Sequence, residues 1–185
     1  MIEATPLPGV FQITPPRHGD ARGFFSESWN AKTLRNAGLE LPAFVQDNHS
    51  MSVDAGTVRG LHYQSPPHAQ GKLVRCGRGS IFDVAVDVRK GSPTYGKWFG
   101  TELSYENGRQ LWVPVGFLHG FATLEPESEI IYKCTDHYAP ECDGAVRWDS
   151  VGIDWPMGDL EPILSEKDRA AIPFAEFETP FNYED

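Results

Sequence analysis

The chain has 185 residues, 40% of them hydrophobic, which is enough to bury an ordinary core in a single domain spanning residues 1–185. The formal net charge is −10 and the sequence offers no basic patch, so a nucleic-acid partner is not expected. The N-terminus lacks a basic stretch followed by an apolar run, and no window approaches the roughly 18 apolar residues of a membrane span. Together these features predict a cytoplasmic protein without membrane contact.

The first half of the chain predicts short elements separated by frequent turns. Turn signals recur about every ten residues, and 18 glycines and 15 prolines interrupt any long helical pattern. A short helix is predicted from Ala31 to Ala37, closed by Gly38. The segment 80–91 alternates with a period of two, which predicts an antiparallel strand with one buried face. Its apolar face carries Phe82, Val84, Val86 and Val88, and its polar face carries Asp83, Asp87 and Arg89.

Further strands are predicted in the segments 97–104, 109–115 and 129–138, and a second short helix opens at Ser165 with Asp168 at the capping-box position. The three cysteines are odd in number and lack paired short spacings, which predicts reduced packing residues rather than disulfides or a zinc site. Many short strands with few helices predict a mainly β protein. We expect a jelly-roll barrel or sandwich with a few short peripheral helices and an interior site for a small molecule.

The strand VRGLHYQ at 58–64 carries more polar side chains than a core strand needs. In a regular strand, Arg59 and His62 would point to opposite faces. Gly60 lies between them and permits a bulge that redirects one of the two side chains, as often occurs beside active sites.

Two segments resemble the sequence motifs of the cupin jelly rolls. Gly108, Pro114, Gly116 and His119 have the spacing of the second cupin motif. The first motif starts at Gly56 and reaches His62, but Gln64 stands where a second histidine is expected, and no glutamate follows at the usual distance. Two imidazoles leave a divalent metal short of its three or more protein ligands, so neither a metal nor another cofactor is expected.

Several strings, in order along most of the chain, resemble the dTDP-4-dehydrorhamnose 3,5-epimerases. They are RGFFSES at 22–28, QDNHS at 46–50, RGLHYQ at 59–64, Lys72, VPVGFLHGF at 113–121, YKCTDHYAP at 132–140 and SEKD at 165–168. The resemblance implies a metal-free, homodimeric cupin that inverts C3 and C5 of dTDP-4-keto-6-deoxy-glucose on the way to dTDP-L-rhamnose. Asp143 departs from the family, which often has glutamate there.

The chemistry implied by this resemblance needs a base, an electrophile and an acid, because a proton beside a ketone is removed and returned to the opposite face. His62 is the candidate base. The resemblance gives Asp168 as its partner carboxylate. Tyr132 shares a strand face with Ile130 and Cys134, so it is expected to point inward and to supply the proton from the far side. Lys72, and with it His119, would face the enolate oxygen that develops on the substrate.

The other half of the implied ligand is a nucleoside diphosphate. Arginine suits bidentate contact with phosphate, amides and carboxylates suit sugar or base contacts, and an aromatic ring can stack on thymine. The predicted substrate-binding residues are Arg22 and Arg59 for phosphate, Glu27, Gln46 and Asn48 for sugar or base, Tyr138 for thymine, and His119, Asp143 and Lys167.

Three alternatives remain at this point. The chain could be a related enzyme that epimerises only C3 or C5 of another dTDP-4-keto-deoxy sugar. It could be a metal-dependent cupin oxygenase, which Gln64 disfavours, or a sugar-nucleotide binding module without catalysis. For single residues a structural role also competes, since Asp168 could be only a helix cap and Tyr132 only a core residue.

Overall fold

The fold is built from antiparallel β-strands, described for residues 1–183 in a computed structural model. Residues 184 and 185, at the end of the predicted domain, lie outside the described residues. The strands are β1 (Ile2–Ala4), β2 (Phe11–Ile13), β3 (His18–Asp20), β4 (Gly23–Phe25), β5 (Gln46–Ser52), β6 (Val58–Gln64), β7 (Lys72–Arg78), β8 (Ser80–Asp87), β9 (Trp98–Ser104), β10 (Gln110–Val113), β11 (Phe117–Thr123), β12 (Ser128–Cys134) and β13 (Asp143–Ala145).

Two large sheets form the body of the protein. One has six strands in the order β1-β2-β10-β7-β12-β5, and the other has five in the order β13-β6-β11-β8-β9. The hairpin β3-β4 stands apart from both. A cluster of buried residues that includes Val74, Ile81, Leu111, Phe121 and Ile130 comes from strands of both sheets. The prediction of a mainly β, jelly-roll architecture is confirmed.

The strand β8 is buried on both of its faces, so the prediction that only one face is buried is wrong. Val84 and Val86 are fully buried against the C-terminal segment, where they pack with Phe177 and Phe181. This segment covers the outer face of the five-stranded sheet. The opposite face carries Asp83, which is also fully buried, because this face of β8 packs against the six-stranded sheet in the core. The alternation in the sequence separates the two faces, but it does not reveal that the second sheet covers the polar one.

Two short helices lie at the periphery, as predicted. Helix α1 (Ala31–Asn36) begins at Asn30, whose side chain accepts a hydrogen bond from a backbone N–H of the first turn. The chain leaves this helix through Gly38, which has a φ of +89°. Helix α2 (Glu166–Arg169) begins at Ser165. Within residues 1–183, no helix is long and apolar enough to cross a membrane.

The predicted bulge in β6 is confirmed by the pairing of β6 with β11. His62 pairs with His119, whereas Arg59 pairs with Phe121. Between these two pairs, β6 contains one more residue than β11. Gly60 has a φ of +132°, and a Cβ there would lie 2.6 Å from a backbone Cα of β11. Only glycine therefore fits at this point of close strand approach.

The three cysteines, Cys76, Cys134 and Cys142, are free and buried. Their predicted role as packing residues is confirmed. Burial raises the pKa of the Cys76 thiol to about 11, which keeps it protonated and unreactive at neutral pH.

Candidate active site

A polar cavity of about 390 Å³ opens between the two sheets. Its walls come from β5, β7 and β12 of the six-stranded sheet and from β6 and β13 of the five-stranded sheet, with contributions from two loops and α2. The lining residues are Gln46, Asn48, His62, Tyr63, Gln64, Gln70, Lys72, Tyr132, Tyr138, Asp143 and Lys167. Most of the residues predicted from sequence as site residues therefore meet in one place.

His62 is paired with a buried carboxylate. Its Nε2 lies 2.6 Å from Oδ1 of Asp168, and the Asp168 side chain is only 4% exposed. The hydroxyl of Ser165 donates to the other carboxylate oxygen at 2.7 Å. Burial acts to raise the pKa of the Asp168 carboxyl, but the hydrogen bonds from His62 and Ser165 outweigh it, and the net pKa is lowered. Asp168 is therefore ionised at neutral pH.

This pairing sets the tautomer of His62. An ionised carboxylate only accepts hydrogen bonds, so Nε2 of His62 carries the proton that it shares with Asp168. The other ring nitrogen, Nδ1, then holds a lone pair in the neutral ring. Nδ1 has no hydrogen-bond partner within the part of the chain that the structure describes. In the neutral form of the ring, this arrangement leaves a lone pair free on a residue of the cavity wall, which is the requirement for a general base.

The cap of α2 belongs to Ser165, not to Asp168. The Ser165 hydroxyl oxygen accepts the backbone N–H of Asp168 at 3.1 Å, which is the usual N-cap contact. In a complete capping box, the Asp168 carboxylate would accept the backbone N–H of Ser165. Instead it contacts the Ser165 hydroxyl and His62. The helix therefore holds Asp168 in position for the imidazole.

His119 lies beside His62 but has a carboxylate of its own. Its Nε2 is 2.8 Å from Oδ1 of Asp83, and the Asp83 side chain is fully buried. The second oxygen of Asp83 has no hydrogen-bond partner among residues 1–183. His119 is not among the residues that line the cavity. Sequence reasoning missed Asp83 because the alternation in β8 placed it on a polar face.

Lys72 lies on the wall formed by the six-stranded sheet. It pairs with Cys134 on the neighbouring strand β12. Burial lowers the pKa of the Lys72 ammonium, and Cys134 and the carboxylate of Asp143 act in the opposite direction. Lys72 is half-buried and lines the cavity, so its amino group is well placed to contact developing negative charge on a ligand.

Tyr132 lies on the same wall, on the face of β12 that also carries Ile130 and Cys134, both fully buried. The inward orientation predicted from the strand pattern is confirmed. Burial raises the pKa of the Tyr132 hydroxyl and Cys134 acts in the same direction, while the charge of Arg59 acts to lower it. The hydroxyl is therefore protonated at neutral pH and can act as a proton donor. His62 and Tyr132 come from different sheets and both line the cavity between them.

One side of the cavity is closed by a group of polar residues around Asp143. The Tyr138 hydroxyl lies 3.3 Å from a carboxylate oxygen of Asp143, which also forms an ion pair with Lys167. Tyr138 is 58% exposed, so one face of its ring is open to a planar ligand. The shorter acid at position 143 reaches both of these partners.

Besides His119, three predicted binding residues lie outside the cavity lining. Arg59 reaches back to Ser52 of β5 at 3.3 Å. Arg22 is on the exposed hairpin β3-β4, with its side chain 89% exposed and paired with Asp20. Glu27 accepts a hydrogen bond from Thr33 at the start of α1. Within one chain, the structure does not bring Arg22 and Glu27 to the other site residues.

Gln64 occupies the position of a cupin metal ligand, and its amide is fully used by the protein. Its Nε2 donates to the carbonyl of His68 and, at 2.9 Å, to that of His137, and its Oε1 accepts the N–H of Ala139 at 3.0 Å. Residues 1–183 hold no group of three or more His, Cys, Asp or Glu side chains arranged for a metal ion. The donor set does not fit a cupin metal site, and Gln64 instead anchors the loop before β13.

Two facing antiparallel sheets, with a polar cavity and a histidine–carboxylate pair in its wall, define an enzyme of the cupin-like jelly-roll class. Within this class, the chain belongs to the dTDP-4-dehydrorhamnose 3,5-epimerase family, whose model matches residues 4–176. The resemblance carried by the sequence strings is confirmed.

The similarity to known members of the family extends over nearly the whole chain. The dTDP-4-dehydrorhamnose 3,5-epimerase of Sinorhizobium fredii is 52% identical over 177 residues, covering 92% of this chain and 88% of the relative. That of Salmonella typhimurium is 51% identical over 173 residues, covering 92% and 93%. A crystal structure of the Legionella pneumophila epimerase in complex with dTDP-4-keto-L-rhamnose has a TM-score of 0.93 at 44% identity, covering 100% and 99% of the two chains.

Proposed function

We propose that the protein is an isomerase that inverts C3 and C5 of dTDP-4-keto-6-deoxy-D-glucose to give dTDP-4-keto-L-rhamnose, a step towards dTDP-L-rhamnose. The observation that carries this proposal is the placement of His62 and Tyr132 on opposite walls of one polar cavity, with Asp168 behind the histidine. Inversion at carbon needs a base and an acid on opposite faces of the sugar ring. The Legionella pneumophila complex supports the assignment of the ligand.

The proposed reaction begins at His62. Its Nδ1 takes the proton from a carbon beside the ketone, and the electrons of that C–H bond move to the ketone oxygen, forming an enolate. The negative carboxylate of Asp168 stabilises the resulting imidazolium. Lys72 donates to the enolate oxygen, where a positively charged donor stabilises the developing negative charge.

The reaction ends at Tyr132. Its O–H bond breaks and a new C–H bond forms on the opposite face of the ring, which returns the electrons from the enolate to carbon. The phenolate and the imidazolium that remain are reset by proton exchange with solvent. The same sequence of steps at the second carbon completes the double inversion.

The remaining site residues are proposed to contact the nucleotide half of the substrate. Tyr138 offers an exposed ring for the thymine, and Arg59 a guanidinium for the diphosphate. Further polar contacts are proposed for Gln46, Asn48, Asp143 and Lys167, whereas the proposed role of His119 is indirect, through its neighbour His62, because His119 does not line the cavity.

We further propose a homodimer in which the hairpin β3-β4 of one chain enters the cavity of the other. Arg22 and Glu27 do not reach the cavity of their own chain, and the hairpin exposes Phe24 and Phe25, the latter 70% exposed. A two-fold pair of identical contacts would bury these rings and supply both polar residues to the partner site.

Complementation tests this dimer. Arg22→Ala and His62→Ala chains, each inactive alone, are unfolded together and refolded. Mixed dimers then contain one cavity with an intact His62 and an intact hairpin, so about a quarter of wild-type activity should return. The control mixes His62→Ala with Tyr132→Phe, which alter the same cavity, and no mixed dimer regains an intact site. Absence of recovery in the first mixture would contradict a shared site.

Incubation of the wild-type protein with dTDP-4-keto-6-deoxy-D-glucose in deuterated water, followed by NMR, tests the proposed reaction. We expect deuterium at both C3 and C5 and inversion at both. Exchange at one carbon would identify a single-site epimerase, and absence of exchange would indicate a sugar-nucleotide binding module without catalysis.

Exhaustive chelation tests the oxygenase alternative, because the proposed steps use only side chains of the protein. We expect the epimerase rate to be unchanged. Activity that is lost with the chelator and restored by a divalent ion would support a metal-dependent cupin instead.

We also propose that the protein acts in the cytoplasm. Three free, buried cysteines suit a reducing compartment, where disulfides rarely persist. Fractionation of the native source with a specific antibody would test this, and recovery outside the cytoplasmic fraction would contradict it.

A further inference from the structure

We infer that Arg17 is a positioning residue, which anchors the base of the hairpin β3-β4 and so sets the direction in which Arg22, at the tip of the hairpin, points. This inference rests on the proposed entry of the hairpin into the cavity of the partner chain. Arg17 does not line the cavity of its own chain. Its effect on the nucleotide site is therefore indirect, through the hairpin that carries Arg22.

The side chain of Arg17 is hydrogen-bonded to the turn between β9 and β10. Arg17 directly precedes β3, and its Nη1 donates to the backbone carbonyl of Glu106 at 2.9 Å, while its Nη2 donates to that of Tyr105. A guanidinium presents its N–H groups in a fixed, planar fork. Two simultaneous bonds to backbone carbonyls therefore define both the place and the orientation of this side chain.

The turn that accepts these bonds is itself held in place. The side-chain oxygen of Asn107 accepts the backbone N–H of Ser104 at 3.1 Å and that of Arg109 at 2.9 Å. The backbone N–H of Tyr105 donates at 2.9 Å to the carbonyl of Gly79, in the turn between β7 and β8. Each of these two turns connects one large sheet to the other. The hairpin is thus attached to a well-supported part of the protein body.

Two aromatic rings pack on the guanidinium of Arg17. Its Cζ lies 4.3 Å from the ring centre of Phe24, on β4, and 5.4 Å from that of Tyr105. The two ring centres are 5.8 Å apart. A guanidinium is attracted to the negative face of an aromatic ring. Arg17 therefore links one strand of the hairpin to the turn, in addition to fixing the point where the chain enters the hairpin.

Gly108, in the same turn, leaves the space that the guanidinium occupies. Its φ is +62°, and a Cβ at this position would lie 2.8 Å from Nε of Arg17 and 2.9 Å from its Cζ. Both distances are shorter than a van der Waals contact, so a side chain at this position would displace the guanidinium. A glycine therefore allows Arg17 to reach the turn.

The hairpin has contacts of its own that do not involve Arg17. Its two strands are paired along their whole length. At the base of the hairpin, the hydroxyl of Ser26 donates to the backbone carbonyl of Pro16 at 2.9 Å. Loss of the Arg17 contacts should therefore leave the hairpin intact as a unit but free to change its angle to the protein body.

The length of the hairpin makes this angle important for Arg22. Because a strand rises about 3.3 Å per residue, the five residues from Arg17 to Arg22 span up to about 16 Å. A rotation of about 20° at the base then moves the tip by about 6 Å. Contacts between a guanidinium and a phosphate have donor–acceptor distances of about 2.7–2.9 Å, so a displacement of this size breaks them.

A double-mutant cycle on the affinity for dTDP tests the inference. Arg17→Gln removes the forked donor, and we expect the Kd for dTDP, measured by calorimetry, to rise about 10-fold. In the Arg22→Ala background, the same substitution should change the Kd by less than about 2-fold, because no guanidinium is left to position. Equal effects in both backgrounds would overturn the inference. Arg78→Gln is the control, because it breaks an exposed ion pair with Glu127 and should leave the Kd unchanged.

Arg17→Lys separates the geometry of the side chain from its charge. Lysine keeps the positive charge but does not present two N–H groups in a fixed fork. We expect the Kd for dTDP in Arg17→Lys to be at least about 3-fold above that of the wild type. A wild-type Kd would mean that a positive charge alone is sufficient at this position, which would contradict the role of an anchor.

A second readout needs no ligand. Trypsin cleaves after arginine, so limited digestion followed by mass spectrometry reports how often the hairpin opens around Arg22. We expect cleavage after Arg22 to be about 5-fold faster or more in Arg17→Gln, and unchanged in Arg78→Gln. Faster cleavage would support the anchor even if the wild type failed to bind dTDP, which would contradict the proposed function alone. Unchanged cleavage in Arg17→Gln would overturn the inference.

Tyr105→Ala provides an independent variant in case Arg17→Gln does not fold. It removes one of the two rings that pack on the guanidinium and leaves both backbone carbonyls in place. Tyr105→Phe is its matched control, because it keeps the ring. We expect a smaller acceleration of cleavage after Arg22 in Tyr105→Ala and none in Tyr105→Phe. Equal cleavage rates in these two variants would contradict the inference.

Discussion

The two histidine–carboxylate pairs of the protein have the same chemistry in two different surroundings. His62 and His119 are direct neighbours across β6 and β11, and each has its Nε2 within hydrogen-bond distance of an aspartate. The His62 side chain is 29% exposed, and both oxygens of its partner Asp168 are bonded. The His119 side chain is 10% exposed, and one oxygen of Asp83 has no partner within the described residues.

The difference shows what makes one of two similar pairs suitable for proton transfer. A general base of this kind needs a ring nitrogen that is free at the cavity. It also needs a partner carboxylate with both oxygens hydrogen-bonded, so that the ring can accept and release a proton. His62 meets both conditions. His119 lies deeper, away from the lining of the cavity, and its pair adds a buried charge to the interior that the fold must tolerate.

The largest effect should follow substitution of His62, the more exposed of the two histidines. His62→Ala removes the proposed base, and deuterium exchange and inversion should both fall by about 10² to 10⁴-fold. The measurement is NMR in deuterated water under the conditions used for the wild type. His49→Ala is the control, because His49 is an exposed histidine that also bonds to a carboxylate, Glu129. Near-normal exchange in His62→Ala would move the base to another residue.

The next effect should come from the carboxylate behind that histidine. In Asp168→Asn, turnover should fall at least about 100-fold, because an amide cannot stabilise the imidazolium and can select the wrong tautomer. The unfolding free energy should fall by no more than about 3 kcal/mol, because the charge-assisted hydrogen bond to His62 is weakened while Ser165 keeps the cap. The two measurements are the turnover rate and the denaturant midpoint. A wild-type turnover rate in Asp168→Asn would show that Asp168 has only a structural role.

Asp83→Asn should affect the free energy of unfolding more than turnover. The substitution weakens a buried, charge-assisted hydrogen bond to His119, so we expect about 1–3 kcal/mol of lost unfolding free energy. Turnover should fall less than in Asp168→Asn, because this pair does not line the cavity. Chemical denaturation and turnover are measured on the same preparations. If Asp83→Asn reduced turnover as strongly as Asp168→Asn with an unchanged midpoint, both pairs would have to be assigned to proton transfer.

Acid unfolding gives the smallest effect and concerns Asp168 alone. Its folded-state pKa is lowered, so its contribution to stability is present above the ordinary carboxyl range, near pH 4, and is lost as the pH falls through the lowered value. Asp168→Asn should therefore be closest to the wild type in stability at the lowest pH tested. Denaturation midpoints at several pH values below 5 check this, and a constant difference between the two proteins would contradict it.

The strand pattern and the motif strings were enough to predict the fold class, both helices, the bulge at Gly60 and the inward face of β12. These features are local or depend on alternation, which the sequence displays directly. The burial of Asp83 could not be predicted in the same way, because its face of β8 packs against the six-stranded sheet, and alternation does not show which elements come together in space. The polar residues on that face instead indicated exposure to solvent.

The candidate site was predictable mainly through its resemblance to a family, since no spacing rule brings His62 and Asp168 together. The structure added the hydrogen bonds from Gln46 to Asn48 and from Asn48 to Cys134, which depend on the register of β5 and β12. It also separated Arg22 and Glu27 from the cavity of their own chain. The roles of the individual site residues and the extent of a single domain over residues 1–185 stay predictions.

The central claim is that His62 and Tyr132 act on opposite faces of the sugar. Tyr132→Phe in deuterated water tests it most directly, because it removes the acid and leaves the base. The account predicts that deuterium still enters at C3 and C5, since the enolate can regain a proton on the side of His62, while formation of the L-sugar falls at least about 100-fold. Formation of the L-sugar at the wild-type rate would contradict the account.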